Sequence, residues 1–220
     1  MNSDLNKNKQ VKVFWQDPYL KEFKTEPLLV EGNKVIPKET IIFSFSGGQE
    51  GDDAWINGIK VINSYYTDDG VIVYELEQPL PQDEKELTLR IDWDKRYKIM
   101  RLHSAAHVVY YFSKEALGFD KLIGSNVTST KSRLDFLYPE SVSLKIPQIE
   151  EKVNQFILED HEIVMKSDEK DPNIRHWICE DYDMLCGGTH VKNTKEIGKL
   201  KLKRVNIGKG KERIEITLQD

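Results

Sequence analysis

Two short segments, widely separated in the chain, contain most of its histidine and cysteine side chains. The first is His103-Ser-Ala-Ala-His107 and the second is Cys186-Gly-Gly-Thr-His190. The chain has five histidines and two cysteines, and four of these residues lie in the two segments. Residues four apart on a helix project from the same face, so His103 and His107 can reach one point. The fold must therefore bring the two segments together if all four side chains are to bind one ion.

The types and the spacing of the four residues predict a zinc site. Two glycines in the second segment allow a tight turn that folds Cys186 and His190 back onto one ion. Cysteine sulfur and histidine nitrogen are ligands of tetrahedral zinc. We expect one Zn²⁺ per chain, and its predicted ligands are His103, His107, Cys186 and His190.

The same two segments allow alternatives to a catalytic zinc site. Zinc proteases of the HExxH type need a glutamate directly after the first histidine, where this chain has Ser104, so a protease is disfavoured. A purely structural zinc stays open, because four protein ligands can fill a tetrahedral shell and leave no position for water. Acyl transfer to a nucleophile is disfavoured, because Cys186 and the histidines of both segments are better explained as ligands.

The composition favours a soluble cytoplasmic protein with two domains. With 220 residues and a net charge of −5, the chain is long enough for one large or two small cores. Two cysteines, one of them a predicted ligand, provide no disulfide framework, which agrees with a reducing compartment. The polar first residues lack the apolar stretch of a signal peptide, and no apolar run reaches the length of a membrane span.

Residues 1–92 are expected to form a small β-barrel-like domain. Short runs rich in β-branched and aromatic residues alternate with turn residues, without a convincing helix. The predicted strands are Val11–Trp15, Pro27–Val30, Thr40–Ser46, Gly58–Ile62, Val71–Leu76 and Leu87–Trp93. Asn57-Gly58, between two apolar stretches, is typical of a type I′ hairpin turn.

Residues 93–220 are expected to form an α+β domain. A stretch that begins after Trp93 and ends near Gly118 predicts a long amphipathic helix, with the two histidines of the first segment on the flank of its apolar face. The predicted apolar face consists of Leu102, Ala105, Ala106, Val109, Phe112 and Ala116. A second helix is predicted from Pro147 to about Leu158. The predicted strands are Arg133–Leu137, Glu162–Lys166, Leu200–Val205 and Arg213–Leu218, and helices on a mostly antiparallel sheet define the α+β class.

Charge is distributed unevenly along the chain. From Lys192 to Arg213 there are nine basic and two acidic residues, a local charge of +7 in an acidic protein. Such a stripe attracts phosphate groups and predicts salt-dependent binding of a nucleic acid, with an ordinary solvated hairpin as the alternative. The residues expected to bind nucleic acid are Lys199, Lys201, Lys203, Arg204, Lys209, Lys211 and Arg213.

Together these features resemble the AlaX family of stand-alone alanyl-tRNA editing proteins, in its medium-length type, and the editing domain of alanyl-tRNA synthetase. The resemblance covers nearly the whole chain. Besides the two ligand segments it rests on Ser46-Gly-Gly-Gln-Glu-Gly-Asp52, Asp92-Trp-Asp-Lys-Arg-Tyr-Lys-Ile-Met-Arg-Leu-His103 and the closing Gly-Lys-Gly-Lys-Glu-Arg-Ile. A separated fragment of a synthetase is disfavoured, because the chain opens with Met1 and shows no ATP-binding catalytic domain. No separate C-terminal RNA-recruiting domain is expected either.

The resemblance implies a barrel-like front domain and an editing domain like that of threonyl-tRNA synthetases. It implies an enzyme that hydrolyses the ester of tRNA(Ala) mischarged with serine, and also with glycine, and whose partners include neither DNA nor a membrane. The family's zinc ligands fall on the four residues predicted above from spacing. Its Gly-rich element falls on Gly47, Gly48 and Gln49, near the editing pocket. Ser104 stands where the family usually has threonine. Serine keeps the hydroxyl of threonine but lacks its methyl group.

The chemistry expected of such a site is simple, because an aminoacyl ester is already activated. Hydrolysis needs a positioned water, charge stabilisation at the carbonyl oxygen and exclusion of alanine. A zinc ion with a loosely held ligand or an expanded shell can activate the water or polarise the carbonyl. Gln49, Ser104 and Thr189 are the candidate catalytic residues, as partners of the substrate in the pocket. The alternative is a zinc-stabilised tRNA-binding module without hydrolytic activity, and the oligomeric state is left open.

Overall fold

The computed structural model describes residues 10–119 and 121–219 of the chain. The strands are β1 (Val11–Lys12), β2 (Glu22–Thr25), β3 (Pro27–Glu31), β4 (Lys34–Pro37), β5 (Glu39–Thr40), β6 (Ala54–Ile56), β7 (Ile59–Tyr66), β8 (Ile72–Leu76), β9 (Leu87–Ile91), β10 (Leu122–Val127), β11 (Ser132–Leu137), β12 (Val164–Ser167), β13 (Arg175–Cys179), β14 (Tyr182–Leu185), β15 (Leu200–Asn206) and β16 (Lys211–Leu218). The helices are α1 (Trp93–Leu117) and α2 (Ile146–Leu158), and 3₁₀ turns cover Val13–Trp15, Val142–Leu144 and Thr194–Ile197. The polar first residues, where the sequence predicts no signal peptide, lie outside the described residues.

The described residues divide into two compact units. The first contains the residues up to Ser46 together with Gly51–Arg96, and the second contains Gly47–Glu50 together with the residues from Tyr97 onward. The predicted domains, 1–92 and 93–220, stay a prediction. The structure differs from it at the Gly-Gly-Gln element, which the sequence analysis placed in the front domain. This element belongs to the second unit because its hydrogen bonds go to residues there, among them Val127.

The first unit is built on a seven-stranded sheet in the order β2-β9-β6-β7-β8-β4-β3. Every pairing in this sheet is antiparallel, whereas β1 and β5 form a separate parallel pair. One apolar core takes side chains from strands across the sheet, including Val35 of β4, Ile56 of β6, Leu76 of β8 and Leu89 of β9. A sheet that encloses a single core in this way is barrel-like, which confirms the predicted fold class of the front part.

The hairpin between β6 and β7 forms where the sequence predicts it. Trp55 pairs with Lys60 and Ile56 pairs with Ile59, so only two residues make the loop. These residues are Asn57 and Gly58, with φ angles of 51° and 81°. Two consecutive positive φ angles are what a type I′ turn requires.

The predicted strand Thr40–Ser46 is wrong beyond Thr40. The backbone that follows forms hydrogen bonds with side chains instead of with a neighbouring strand. The Ile42 N–H donates to Thr40 Oγ1 (3.1 Å), and the Phe43 N–H donates to the Asp52 carboxylate (2.6 Å). Apolar residues that look like a strand in the sequence are therefore a buried but irregular segment.

Five short strands were not predicted, namely β2, β4, β10, β13 and β14. Two predicted strands also end differently in the structure. Val13–Trp15 is a 3₁₀ turn, and Trp93 begins α1 instead of ending the strand that stops at Ile91. Strands this short contain few alternations of apolar and polar residues, so the period-2 signal is weak.

The first turn of α1 is anchored in the first unit by a buried ion pair. The carboxylate of Asp92 caps the start of the helix. The wholly buried Arg96 side chain binds Asp52 through two nitrogens, with Nε 2.7 Å from Oδ1. The same guanidinium donates to the carbonyl oxygens of Pro18 (3.0 Å) and Ile41 (2.7 Å). A buried charge that is paired and hydrogen-bonded on every side is tolerated, and removal of one partner costs about 3–5 kcal/mol.

The second unit contains two antiparallel sheets together with the remainder of α1 and α2. The sheet orders are β10-β11-β16-β15 and β12-β13-β14. Helices on antiparallel sheets make this unit α+β, as the sequence predicts. No helix among the described residues is long and apolar enough to cross a membrane.

Helix α2 covers the edge strand β15 of the four-stranded sheet. Its buried side chains are Ile146, Ile149, Val153 and Ile157, which lie on one face at helical spacing. Asn154 extends the contact, because its amide donates to the Leu200 carbonyl (3.1 Å) and accepts from the Leu200 N–H (2.8 Å). These bonds satisfy backbone groups that an uncovered edge strand would expose.

Helix α1 is more deeply buried than an amphipathic helix at a surface. Residues 102–109 are all buried, so the predicted single apolar face, with histidines on its flank, is too narrow. Ser104 and Val108 have no exposed surface. The polar side chains of this stretch are therefore interior groups, and each needs a partner.

Candidate metal centre

Two of the four predicted ligands come from successive turns of the buried stretch of α1. His103 and His107 are 8% and 7% exposed. Their rings are nearly perpendicular, with centroids 4.9 Å apart. The helical spacing of four residues thus places both imidazoles on one side of the helix, as the sequence predicts.

The other two predicted ligands lie in the segment that follows β14. The Cys186 N–H donates to the Arg175 carbonyl (2.8 Å), which continues the pairing of β14 with β13 and fixes the start of the segment. The chain then turns, so that Cys186 Sγ lies 3.2 Å from His190 Nε2. His190 is buried and its ring centroid lies 4.1 Å from that of His103.

The four side chains converge on one point. Their ligand atoms all lie within 4.8 Å of one another. With zinc–sulfur and zinc–nitrogen bonds of about 2.3 and 2.0–2.1 Å, a tetrahedral site separates sulfur and nitrogen by about 3.5 Å. Cys186 Sγ lies 3.5 Å from His103 Nε2 and 3.2 Å from His190 Nε2. The group could therefore hold a metal ion, and only Cys186 among the four is not fully buried.

Burial sets the protonation of the cluster. It lowers the pKa of His103 to about 4. Burial, together with the neighbouring histidines, also places the pKa values of His107 and His190 well below the ordinary range. Burial raises the pKa of the Cys186 thiol to about 11. At neutral pH the imidazoles keep a free lone pair, and the thiol keeps its proton until a metal cation replaces it.

One nitrogen of the cluster lacks a protein partner. His107 Nδ1 is buried and has no hydrogen bond to any described residue. An unpaired buried polar atom costs about 1–3 kcal/mol. A histidine that binds a metal ion is compensated by the metal bond, so the unpaired nitrogen and the sulfur–nitrogen donor set both fit a bound metal.

Gln49 and Thr189, two of the residues predicted for the substrate pocket, lie against the ligands. Gln49 Oε1 is 2.7 Å from His103 Nδ1 and accepts the Thr189 N–H (3.0 Å), while Gln49 Nε2 donates to Thr189 Oγ1 (2.9 Å). Both side chains are about 1% exposed. Gly47 is exposed, and the Gly48 carbonyl accepts the Val127 N–H (2.8 Å). Contact of these residues with a substrate stays a prediction.

Ser104, the third predicted pocket residue, supports the second ligand segment. Its side chain is wholly buried, and its Oγ lies 3.1 Å from His190 Nδ1. The same oxygen accepts the Val191 N–H (3.3 Å). The hydroxyl that serine shares with threonine therefore has two partners next to a ligand, and its predicted contact with a substrate is untested.

Two residues of the site were missed in the sequence. Trp177 is wholly buried and its ring stands edge-on to His107, with centroids 4.8 Å apart. Gly188 lies so close to His103 that a Cβ atom on it would be 2.7 Å from Nδ1 and closer still to Cε1. The glycine pair between the ligands signals a close approach of the backbone, whereas no sequence feature marks Trp177.

Six of the seven basic residues predicted to bind nucleic acid lie on the hairpin of β15 and β16, and Lys199 directly precedes β15. Three of the seven form ion pairs within the protein. Lys201 pairs with Glu150 (3.0 Å), Arg204 with Glu212 (2.5 Å) and Arg213 with Asp135 (2.6 Å). The other four are exposed and form no ion pair among the described residues. These four are Lys199, Lys203, Lys209 and Lys211.

Asp135, on β11, pairs with one arginine of the hairpin and with one arginine of its own strand. It is hydrogen-bonded to Arg213 and also contacts Arg133. Burial opposes the ionisation of Asp135, but the hydrogen bonds and charges of Arg213 and Arg133 outweigh it and hold the pKa below its ordinary value. Asp135 and Arg133 thus form a partly buried ion-pair network in the sheet.

The α+β unit, with its cluster of four side chains that could hold a metal ion, belongs to a recognisable class of domain. Residues 178–215 match the family model described as the threonyl and alanyl tRNA synthetase second additional domain. This segment contains Cys186 and His190, β14 and β15, and most of β16. The chain is thus a protein that carries the accessory domain of these two synthetases.

Similarity over the full length narrows the class to one family. The chain is 36% identical to the alanyl-tRNA editing protein AlaX-M of Pyrococcus horikoshii, over 94% of this chain and 97% of that protein. It is 30% identical to AlaX-M of Saccharolobus solfataricus, over 94% and 98%. An alanine-tRNA ligase of Methanococcus aeolicus is 31% identical over 93% of this chain but only 25% of the ligase. The chain belongs to the AlaX-M family of alanyl-tRNA editing proteins, which confirms the resemblance inferred from its motifs.

Proposed function

We propose that the chain is a trans-editing hydrolase that removes the amino acid from mischarged tRNA(Ala), chiefly serine and also glycine. The observation that carries this proposal is the convergence of four metal-binding side chains in a chain that matches AlaX-M proteins along nearly its whole length. Those relatives are named for alanyl-tRNA editing. The choice of serine and glycine rests on the resemblance of the motifs.

We assign zinc to the centre, with one ion per chain. Three neutral imidazoles and one thiolate form a ligand set of intermediate softness that suits Zn²⁺. His103, His107, Cys186 and His190 would hold the ion. A bound zinc ion supplies a Lewis acid that polarises a carbonyl or lowers the pKa of a water to about 7. The three histidines are buried and Cys186 is only partly buried, so a substrate would approach from the Cys186 side.

The electrostatics of the cluster argue against a cysteine nucleophile. Cys186 and His190 are close enough to act as a thiol and its base. A nucleophilic pair needs a thiol whose pKa is lowered so that the thiolate forms at neutral pH. Burial instead raises the pKa of Cys186 to about 11 and places that of His190 well below the ordinary range. Attack by water on the ester is therefore the proposed chemistry.

Discrimination between serine and alanine has a clear physical basis. Serine carries one more hydroxyl, and a site that hydrogen-bonds this hydroxyl leaves its own polar groups unpaired when alanine enters. Such sites reject the analogue that lacks the group by about 10⁴-fold or more. Ser104, Thr189 and Gln49 are the proposed contacts for the substrate hydroxyl, although their present partners lie within the protein.

We also propose that the exposed lysines of the β15–β16 hairpin bind the phosphate backbone of the tRNA. Lys203, Lys209 and Lys211 are exposed and have no ion pair among the described residues, so their charge is free to act on a polyanion. Arg204 and Arg213 keep acidic partners within 2.6 Å and contribute less net charge. Phosphate contacts position the tRNA and carry no sequence information themselves.

The function is tested by ester hydrolysis. Ser-tRNA(Ala), Gly-tRNA(Ala) and Ala-tRNA(Ala) would be incubated with the zinc-loaded protein and with the protein stripped by a chelator. We expect rapid loss of the serine ester, loss of the glycine ester and sparing of the alanine ester. Reloading of the stripped protein with Zn²⁺ should restore hydrolysis.

Two other outcomes would reject this account. Equal hydrolysis of all three esters would remove the editing function, because editing requires that the correct product survive. Binding of tRNA without hydrolysis, by folded and zinc-loaded protein, would favour the zinc-stabilised tRNA-binding module.

A third outcome concerns the metal alone. Metal-independent hydrolysis by folded protein would leave the editing function in place and assign zinc a structural role.

A further inference from the structure

Gln49 lies between the two ligand segments and touches both. Its side chain is 1% exposed. On one side it contacts the ring of His103, and on the other it contacts the backbone and hydroxyl of Thr189, which directly precedes His190. A single amide thus joins the helix ligands to the ligands of the second segment.

The orientation of the amide is determined by a backbone group. The Thr189 N–H can only donate a hydrogen bond, so the Gln49 atom that faces it at 3.0 Å must be the oxygen. The amide nitrogen then faces Thr189 Oγ1 at 2.9 Å, where an acceptor is present. Exchange of the two amide atoms would place an N–H against the Thr189 N–H, which is unfavourable.

The orientation of the amide in turn determines the tautomer of His103. Gln49 Oε1, which must be an acceptor, lies 2.7 Å from His103 Nδ1, so this ring nitrogen carries the proton. The other ring nitrogen, Nε2, then has a free lone pair, and it is the atom that faces Cys186 Sγ at 3.5 Å. The neutral imidazole can bind a metal only through the unprotonated nitrogen.

The backbone on both sides of Gln49 is held in place within the second unit. Gln49 forms a parallel bridge with Val127, the Glu50 N–H donates to the Val127 carbonyl (2.9 Å), and the Val127 N–H donates to the Gly48 carbonyl (2.8 Å). Gly48 has φ +84°, and a Cβ atom on it would come within 2.9 Å of the Ser125 carbonyl oxygen. The backbone conformation of Gly47 and Gly48 therefore places the Gln49 side chain next to His103.

We propose that Gln49 is a positioning residue of the metal centre, which holds His103 in the tautomer and orientation that present Nε2 to the metal. This role rests on the metal centre of the proposed function. This positioning role is separate from the contact with the substrate hydroxyl proposed above for Gln49. Partners of this kind, which bind a metal ligand instead of the metal, change metal affinity by about 10–100-fold when they are removed.

Two substitutions at Gln49 separate positioning from other roles. Gln49→Met has a similar length and no acceptor, and we expect it to weaken zinc binding by about 10–100-fold in a competition with a chelating dye. Gln49→Glu keeps an oxygen for His103 Nδ1 and for the Thr189 N–H, and Thr189 Oγ1 can donate to it in turn. We expect Gln49→Glu to bind zinc within about threefold of the unchanged protein. Gln155→Met, at an exposed glutamine on α2, is the matched control and should leave zinc affinity unchanged.

The tautomer of His103 is read directly by NMR on the unchanged, zinc-loaded protein. Nitrogen-15 shifts of the imidazole should show a proton on Nδ1 and the metal on Nε2. A proton on Nε2 would overturn the proposal, even if Gln49→Met failed to fold. Zinc affinity of folded Gln49→Met equal to that of the unchanged protein would overturn it as well, and loss of hydrolysis in that variant would then assign Gln49 to the substrate.

These measurements do not depend on hydrolysis. If the unchanged protein binds zinc and shows the expected tautomer but spares every ester, the proposed function fails and the positioning role of Gln49 stands. If the esters are hydrolysed and His103 carries its proton on Nε2, the function stands and the positioning role fails.

Discussion

Single residues decide how closely the two ligand segments can approach each other. The segments approach closely at Gly188, because a Cβ atom there would meet both the His103 ring and the Gln49 amide. A side chain of any size at this position would press on atoms that are themselves fixed by hydrogen bonds. Well-packed interiors do not absorb an added methyl group without strain of about 1–3 kcal/mol.

Gly188→Ala should therefore weaken the metal centre. The new Cβ would lie 2.7 Å from His103 Nδ1, so either the ring or the second ligand segment must move. We expect zinc affinity to fall by about tenfold or more, since about 1.4 kcal/mol corresponds to a factor of ten. Competition with a chelating dye measures the change.

Gly187→Ala is the matched control, because Gly187 is the exposed neighbour in the same turn. It should change zinc affinity much less than Gly188→Ala. Equal effects of the two substitutions would show that the turn itself, and not the contact with His103, limits metal binding.

The convergence of the four predicted ligands could be predicted from the sequence. The residues in contact with them could only be named as candidates for the pocket. Histidine and cysteine are rare in this chain, and their spacing restricts what they can do. Ser104 and Gln49 have hydroxyl and amide groups that suit a substrate, a ligand or a turn equally well in a sequence. Their hydrogen bonds to His190 and His103 depend on tertiary contacts across many residues.

At the scale of elements, the β15–β16 hairpin shows that charge in a sequence overstates charge at a surface. The seven predicted RNA-binding residues include three whose side chains are held by acidic partners, one on α2, one within β16 and one on β11. The four lysines without an ion pair among the described residues should therefore make most of the contact with tRNA.

Charge reversal on the hairpin tests this expectation. The triple variant Lys203→Glu, Lys209→Glu, Lys211→Glu should lower tRNA affinity. It should also flatten the dependence of affinity on salt, by about 0.7–0.9 in slope for each phosphate group that the protein no longer neutralises. Filter binding between low and moderate salt gives both quantities. An unchanged slope would exclude this hairpin from the RNA-binding surface.

The control variant must change the net charge equally. Lys60, Lys85 and Lys145 are exposed lysines outside the hairpin. Their simultaneous replacement by glutamate should leave the salt slope close to that of the unchanged protein. A decrease in slope equal to that of the hairpin variant would show a non-specific effect of net charge.

The long helix and the hairpin turns could be predicted, because periodicity and turn residues are local signals. The segment after Thr40 could not, since its backbone bonds to Asp52, which the sequence does not identify as a partner. The burial of residues 102–109 could not be predicted either. Polar residues in α1 suggest a face exposed to solvent, but other parts of the fold pack against that face.

At the scale of the whole molecule, the fold class follows from the change along the chain from short strands alone to helices combined with strands. The barrel-like sheet of the first unit and the α+β arrangement of the second agree with that pattern. The membership of residues 47–50 in the second unit does not follow from it, because it depends on hydrogen bonds to Val127 and Thr189 far along the chain.

The central claim is that one zinc ion is held by residues from both ligand segments of the second unit. The most direct test is the zinc content of the purified protein after dialysis against a weak chelator, measured by elemental analysis. Cys186→Ala removes a ligand, and Cys179→Ala is the matched control, because Cys179 is buried in β13 outside the four-residue cluster. We expect one zinc per chain in the unchanged protein and in Cys179→Ala, and far less than one in Cys186→Ala. Full zinc content in Cys186→Ala, or none in the folded unchanged protein, would contradict the account.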